Sequence, residues 1–156
     1  MNGIKISMTA LTQYGLLLCL TLSFFISTPA NSQQIKIVGN AEGTPVQLDS
    51  KELRSIFKAQ KQWWDNDTKI SIVLLKSSVP ISETIAEKVF AMTKNEVKTY
   101  WIQIVFRGKA TTPKHFDSED AVIAYIESTP GAIGVVSADT NAGSLKIIEV
   151  DGKGVW

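Results

Sequence analysis

Short apolar runs and helix-period apolar stripes alternate along most of the chain. Runs rich in β-branched residues predict strands at residues 34–38, 70–75 and 145–150, and another within residues 129–137. Between these runs, apolar residues recur three and four positions apart, which predicts amphipathic helices. Strands that alternate with helices favour an α/β fold, a layered sheet with helices on its faces.

Polar residues that favour helix starts stand in front of three of the apolar stripes. Asp49 or Ser50 precedes the first stripe and can cap a helix there. Thr93 and Glu96 have the spacing of a capping box, in which each side chain satisfies a free amide of the other residue. Ser118 precedes the last stripe. The sequence therefore predicts capped helices after each of these positions.

The segment from Thr129 to Ser137 is the most informative local motif. Pro130-Gly131 favours a tight turn, because proline presets one dihedral angle and glycine tolerates positive φ. The apolar residues after the turn predict a short buried strand. Gly134 within this strand has no side chain, so another part of the chain or a ligand can approach its backbone closely.

The first 32 residues have the pattern of a signal peptide. Lys5 is their only charged residue, and residues 14–26 are a mostly apolar run of the length of a signal-peptide core. A membrane-spanning helix needs roughly 20 apolar residues. Pro29 ends the run and small residues follow it, which suits cleavage before Gln33. Retention as an uncleaved anchor is the alternative.

We therefore predict a signal peptide over residues 1–32 and an exported, periplasmic domain over residues 33–156. Cys19, the only cysteine, lies in the predicted signal peptide, so no disulfide or thiolate metal site is expected in the domain. The domain carries 15 basic and 15 acidic residues, because Lys5 is the one charge before it. A net charge near zero argues against a nucleic-acid partner.

No group of residues has the pattern of a catalytic or metal site. His115 is the only histidine, and a metal ion would need further ligands close to it. Asp117, Glu119 and Asp120 are better explained as the acidic start of a helix, where they complement the helix dipole. We expect no enzyme activity, no metal and no cofactor.

A predicted loop combines Trp63-Trp64 with Asp65-Asn66-Asp67. Adjacent tryptophans can form a binding platform, but the favoured interpretation is that one plugs the edge of the core and the other covers it. The loop lacks the distal glutamate of a calcium-binding loop. Packing is therefore the role expected for this segment.

The segment Lys76-Ser77-Ser78 joins a predicted strand to a helix predicted over residues 82–91. Ligands of α/β sheets tend to bind beyond the carboxyl ends of strands, and a helix N-terminus offers free amides to an anion. The alternative is that a serine merely caps the helix. Glu83 favours this alternative, since its charge would repel an anion.

Several segments together resemble the phosphate-binding protein family of phosphate ABC transporters, within the type II periplasmic binding proteins. The stretch at residues 106–113 is similar to the family's Phe-x-Gly-x-x-x-x-Pro, and residues 130–136 are similar to its Pro-Gly-Ala-Ile-Gly-Tyr-Val, with Val135 in place of tyrosine. The resemblance also includes Leu48–Phe57, the Trp-containing loop, and Phe90 followed by Tyr100-Trp101.

The resemblance implies one lobe of a type II periplasmic binding protein and an anion-binding turn. In this family the turn has an arginine followed by Ser-Gly-Thr at a helix start. The corresponding region here runs from Lys76 to Thr84, with lysine in place of arginine and no glycine. The residues implied to contact an anion are Lys76, Ser77, Ser78, Ser82 and Thr84. Phosphate is the family's usual ligand, and an ABC permease its partner.

The resemblance covers about one lobe of a two-lobed family. A partner chain or self-association would then supply the second wall of a closed cleft. We expect an exported, solute-binding-protein-like domain that binds phosphate or a similar small oxyanion for an ABC transporter. The alternative is an envelope protein-interaction or sensor-associated domain that has lost ligand binding.

Overall fold

The computed structural model describes residues 33–156, so the predicted signal peptide and Cys19 lie outside the described residues. Within the described range, no helix is long and apolar enough to span a membrane. The strands of this part are β1 (Ile35–Gly39), β2 (Gln47–Leu48), β3 (Ser71–Leu75), β4 (Lys114–Phe116), β5 (Ala132–Ser137) and β6 (Lys146–Val150).

These strands form one mixed sheet in the order β2-β6-β1-β5-β3-β4. β1 runs antiparallel to both β5 and β6, whereas β3 runs parallel to β5 and to β4. The four predicted strands are confirmed. β2 and β4 were not predicted, because two or three residues are too short to show a period.

Three of the four helical segments of the described chain begin at predicted caps. They are α1 (Ser50–Phe57), α2 (Ser82–Ile85), which continues as a π-helix (Ala86–Phe90), α3 (Lys94–Phe106) and α4 (Glu119–Glu127). Asp49 caps α1, Thr93 and Glu96 form the predicted capping box on α3, and Ser118 caps α4. The helix predicted over residues 82–91 is present, but its second half is wound as a π-helix.

The core lies on both faces of the central strands. Every residue of β1 and β5 is buried, so both faces of the sheet are covered. α4 packs against β3, β4 and β5. A Cβ atom at Gly134 would lie 2.8 Å from Cδ1 of Ile126 in α4, so the close approach expected at this glycine is made by a helix. Ile133 and Val135 face the opposite side and are also buried.

The two adjacent tryptophans have different surroundings. Trp64 is buried, and its indole N–H donates a hydrogen bond of 2.9 Å to the carbonyl of Gly131. Trp63 is exposed. Trp64 is therefore the ring that plugs the edge of the core, as predicted, whereas the expected covering role of the second ring stays a prediction. This contact also fixes the Pro130-Gly131 turn, where Gly131 has φ of 73°.

Candidate anion-binding turn and the adjacent groove

The segment from Lys76 to Thr84 begins at the carboxyl ends of two parallel strands. Leu75 of β3 pairs with Phe116 of β4, and the Lys76 amide donates to the Phe116 carbonyl at 2.9 Å. The chain then turns through Ser77 and Ser78 into α2. This is the position in an α/β sheet where ligands are most often held.

Lys76 has an acidic partner that local sequence reasoning did not assign to it. Its Nζ lies 2.7 Å from Oδ2 of Asp117, which follows β4. Both side chains are largely exposed, so the pair is worth little in stability, about 0–1 kcal/mol. An arriving anion would therefore compete with Asp117 for Lys76 at a small energetic cost.

The serines of the turn do not cap the helix. Ser77 and Ser78 are exposed, whereas Ser82 is buried and its hydroxyl donates to the Ser77 carbonyl at 3.2 Å. The N-cap residue of α2 is Ile81, and no side chain bonds to the free amides there. The alternative that a serine serves as the cap is therefore wrong.

Some of the amides at the start of α2 are already bonded. The amide of Ser82 donates to the carbonyl of Val79 at 3.0 Å, and that of Glu83 approaches the carbonyl of Pro80 at 3.4 Å. The carboxylate of Glu83 forms an ion pair of 3.1 Å with Lys94 at the start of α3. Its charge is thus partly offset by a lysine that lies beside the same turn.

The turn opens onto a groove that we call the α2–α3 groove. It has a volume of about 680 Å³, and its apolar wall includes Ile85, Phe90, Val97, Trp101, Ile102 and Phe106. Lys76, Ser77, Ser78 and Ser82 line it from the turn. The structure thus brings four of the five predicted site residues together at one end of this groove. Thr84 is half-buried and does not line it.

His115 lies in β4 and also lines the groove. Its Nδ1 is 3.0 Å from the carbonyl oxygen of Pro113. Residues 33–156 contain no cluster of three histidine, cysteine, aspartate or glutamate residues that could hold a metal ion. The lysines and serines that line the groove can offer positive charge and hydrogen-bond donors to a ligand.

Two features of the site were missed in the sequence. The pairing of Lys76 with Asp117 depends on the parallel register of β3 and β4, which no local pattern encodes. The second feature is a row at four-residue spacing on α3, consisting of Lys94, Lys98, Ile102 and Phe106, all of which line the groove. Its helical period was a signal that could have been used.

The fold is similar to solved phosphate-transport proteins. An ABC-type phosphate transport receptor from Vibrio cholerae superposes with a TM-score of 0.61 at 18% identity, over 78% of this chain and 49% of the receptor. PstS from Borrelia burgdorferi superposes with a TM-score of 0.58 at 16% identity, over 78% of this chain and 48% of that protein. The chain spans about half the length of these structures.

No protein-family model matches the sequence, and no curated protein matches it. At these identities the structural likeness shows the fold. The predicted α/β fold, a layered sheet with helices on its faces, is confirmed. The two solved proteins are a phosphate transport receptor and PstS, and their likeness to this chain is a likeness of fold.

Proposed function

We propose that this chain is an exported solute-binding domain that holds phosphate or a similar small oxyanion at the turn from Lys76 to Thr84. The observation that carries the proposal is the position of this turn, beyond the carboxyl end of β3, in a fold similar to that of phosphate transport receptors. Delivery of the ion to an ABC permease and a periplasmic location belong to the same proposal.

The donors available at the turn suit a small oxyanion. Lys76 contributes a charge, and the hydroxyls of Ser77 and Ser78 are exposed at the mouth of the groove. The Ser82 hydroxyl lies beneath them, bonded to the Ser77 carbonyl. Lysine acts as a point charge and lacks the two-pronged geometry of arginine, so we expect weaker binding than an arginine would give.

Isothermal titration calorimetry with phosphate and with sulfate tests the proposal. We expect phosphate binding in wild type and a loss of about tenfold or more in Lys76→Ala, because a hydrogen bond to a charged group contributes about 1.5–3 kcal/mol. Lys51→Ala is the matched control, since Lys51 is an exposed lysine of α1 away from the groove. Absence of heat and of any thermal shift at millimolar phosphate would contradict the proposal.

One observation favours the second candidate, an envelope protein-interaction domain. Phe106 is 92% exposed and Ile102 is 60% exposed, and both lie on one face of α3. Large apolar side chains grouped in water often mark a contact surface. Under this alternative, the domain captures an envelope protein whether or not phosphate is present. Phe106→Ser abolishes this capture, whereas Lys76→Ala does not change it.

A further inference from the structure

We propose that the α2–α3 groove binds an amphipathic organic anion, namely a carboxylate with an unbranched alkyl chain. This inference is separate from oxyanion binding at the turn, because it depends on α3 and on the apolar wall. An inorganic ion would leave most of the groove empty. The groove volume of about 680 Å³ falls within the range of roughly 300–1,000 Å³ that is usual for small-molecule sites.

The apolar wall is built to hold a chain of methylene groups. Ile85 and Phe90 lie on the α2 side and are buried, and Val97 lies on α3. Ile102 and Phe106 continue this wall into solvent, where each remains exposed. A ligand chain laid along them removes their apolar surface from water, which favours binding.

Along the groove, the side chains of α3 change from charged to apolar, and this change sets the orientation of the ligand. Lys94, Lys98, Ile102 and Phe106 follow each other at intervals of four residues, and each lines the groove. The two lysines come first and the two apolar residues follow. Lys98 and Phe106 are separated by about 12 Å along the helix axis, at a rise of 1.5 Å per residue. The carboxylate therefore belongs near Lys98 and the chain tail near Phe106.

The residues that line the groove include three lysines and no aspartate or glutamate. Lys76 is paired with Asp117, and Lys94 is paired with Glu83. Lys98 forms no ion pair within residues 33–156. A carboxylate is thus attracted to the mouth of the groove, and Lys98 is available to meet it.

Trp101 supplies a spectroscopic probe of the groove. Its side chain lines the groove and is 6% exposed, and its indole N–H has no hydrogen-bond partner among the described residues. A buried donor without an acceptor is costly. The N–H is shielded from solvent, so Trp101 serves as a reporter, because an alkyl chain laid along the apolar wall changes the surroundings of its ring.

The test is a titration of the purified protein with decanoate, followed by calorimetry and by the ¹⁵N–¹H signal of the Trp101 indole. Decanol serves as the uncharged chain and inorganic phosphate as the charge without a chain. We expect decanoate to bind at least tenfold more tightly than decanol and to shift the Trp101 signal. Phosphate is expected to leave that signal unchanged.

Two exposed positions separate the contributions of head and tail. Lys98→Gln should weaken decanoate binding about tenfold and leave decanol binding unchanged, while Lys51→Gln should change neither. Ile102→Ser should weaken decanoate and decanol alike. Equal affinity for the two ligands, no shift of the Trp101 signal, or a dimer that buries this face and resists decanoate would each overturn the inference. If the wild-type protein bound decanoate but not phosphate, only the proposed oxyanion function would be contradicted.

Discussion

The ammonium group of Lys76 lies 2.7 Å from the carboxylate of Asp117, which is 41 positions further along the chain. The two residues follow β3 and β4, and the parallel register of these strands brings them together. The lysine that the sequence predicts to bind an anion is therefore already in an ion pair in the folded chain. Whether the turn binds an ion depends on how readily this pair separates.

We predict that Asp117→Asn strengthens phosphate binding. Removing the carboxylate frees Lys76 and reduces the negative charge at the turn, and an exposed pair of this type is worth up to about 1 kcal/mol, or about a fivefold gain in affinity. Calorimetric titration of the variant with phosphate measures the gain. Asp120→Asn is the matched control, because Asp120 is exposed in the first turn of α4. An equal gain in both variants would mean that only net charge matters.

We predict that Trp64→Phe lowers the free energy of unfolding by about 1–3 kcal/mol. The change removes the indole N–H that donates to the Gly131 carbonyl, and it leaves space where the larger ring was buried. Trp63→Phe provides the control on the neighbouring exposed ring, with an expected effect within about 0.5 kcal/mol. Urea unfolding of the two variants makes the comparison, and equal losses would contradict the assigned roles.

We predict that Gly134→Ala destabilises the fold by about 1–3 kcal/mol through overpacking. The added Cβ would lie 2.8 Å from Cδ1 of Ile126 and 3.2 Å from Cγ1 of Val122, so these side chains would have to shift within the packed layer between α4 and the sheet. At Gly154 the nearest atom is 3.8 Å away, which makes Gly154→Ala the control. Chemical denaturation should rank the control close to wild type. A Gly134→Ala variant as stable as wild type would show that the Ile126 and Val122 side chains repack without cost, and it would contradict the prediction.

We predict that the capping box of α3 weakens in acid. The Glu96 carboxylate accepts from the backbone amide and the hydroxyl of Thr93, and these hydrogen bonds lower the pKa of Glu96. A carboxyl with a lowered pKa in the folded state stabilises the protein above its unfolded pKa of about 4.3. This contribution is lost as the pH falls through the lower folded pKa.

Urea unfolding of wild type and Glu96→Gln between pH 7 and pH 3 measures this loss. The stability difference between the two proteins should be largest at neutral pH and should narrow below about pH 4.3. Thr93→Ala, which removes both the cap and the hydroxyl partner, should show a smaller pH dependence than wild type. A difference between wild type and Glu96→Gln that is constant across this range would refute the linkage.

Much of the secondary structure could be predicted because its causes are local. Three of these features depend on residues within a few positions of each other. They are the capping box of Thr93 and Glu96, the cap at Ser118 and the strand after Pro130-Gly131. β4 escaped prediction because three residues show no period, and its pairing with β3 provides its hydrogen bonds. The π-helical part of the segment after Ile85 also has no pattern in the sequence that distinguishes it from an α-helix.

The candidate site likewise has features that follow from the local sequence and features that depend on the tertiary structure. The sequence by itself determined that a lysine and serines stand between a strand and a helix, since both elements follow from hydrophobic periodicity and local turn residues. Only the tertiary structure decided that Asp117 pairs with Lys76 and that the Ser82 hydroxyl donates to the Ser77 carbonyl. It also decided that residues of α3 line a groove beside them. These relationships join residues distant in the chain or depend on the path of the turn, and they arise only when strand register and helix packing bring their side chains together.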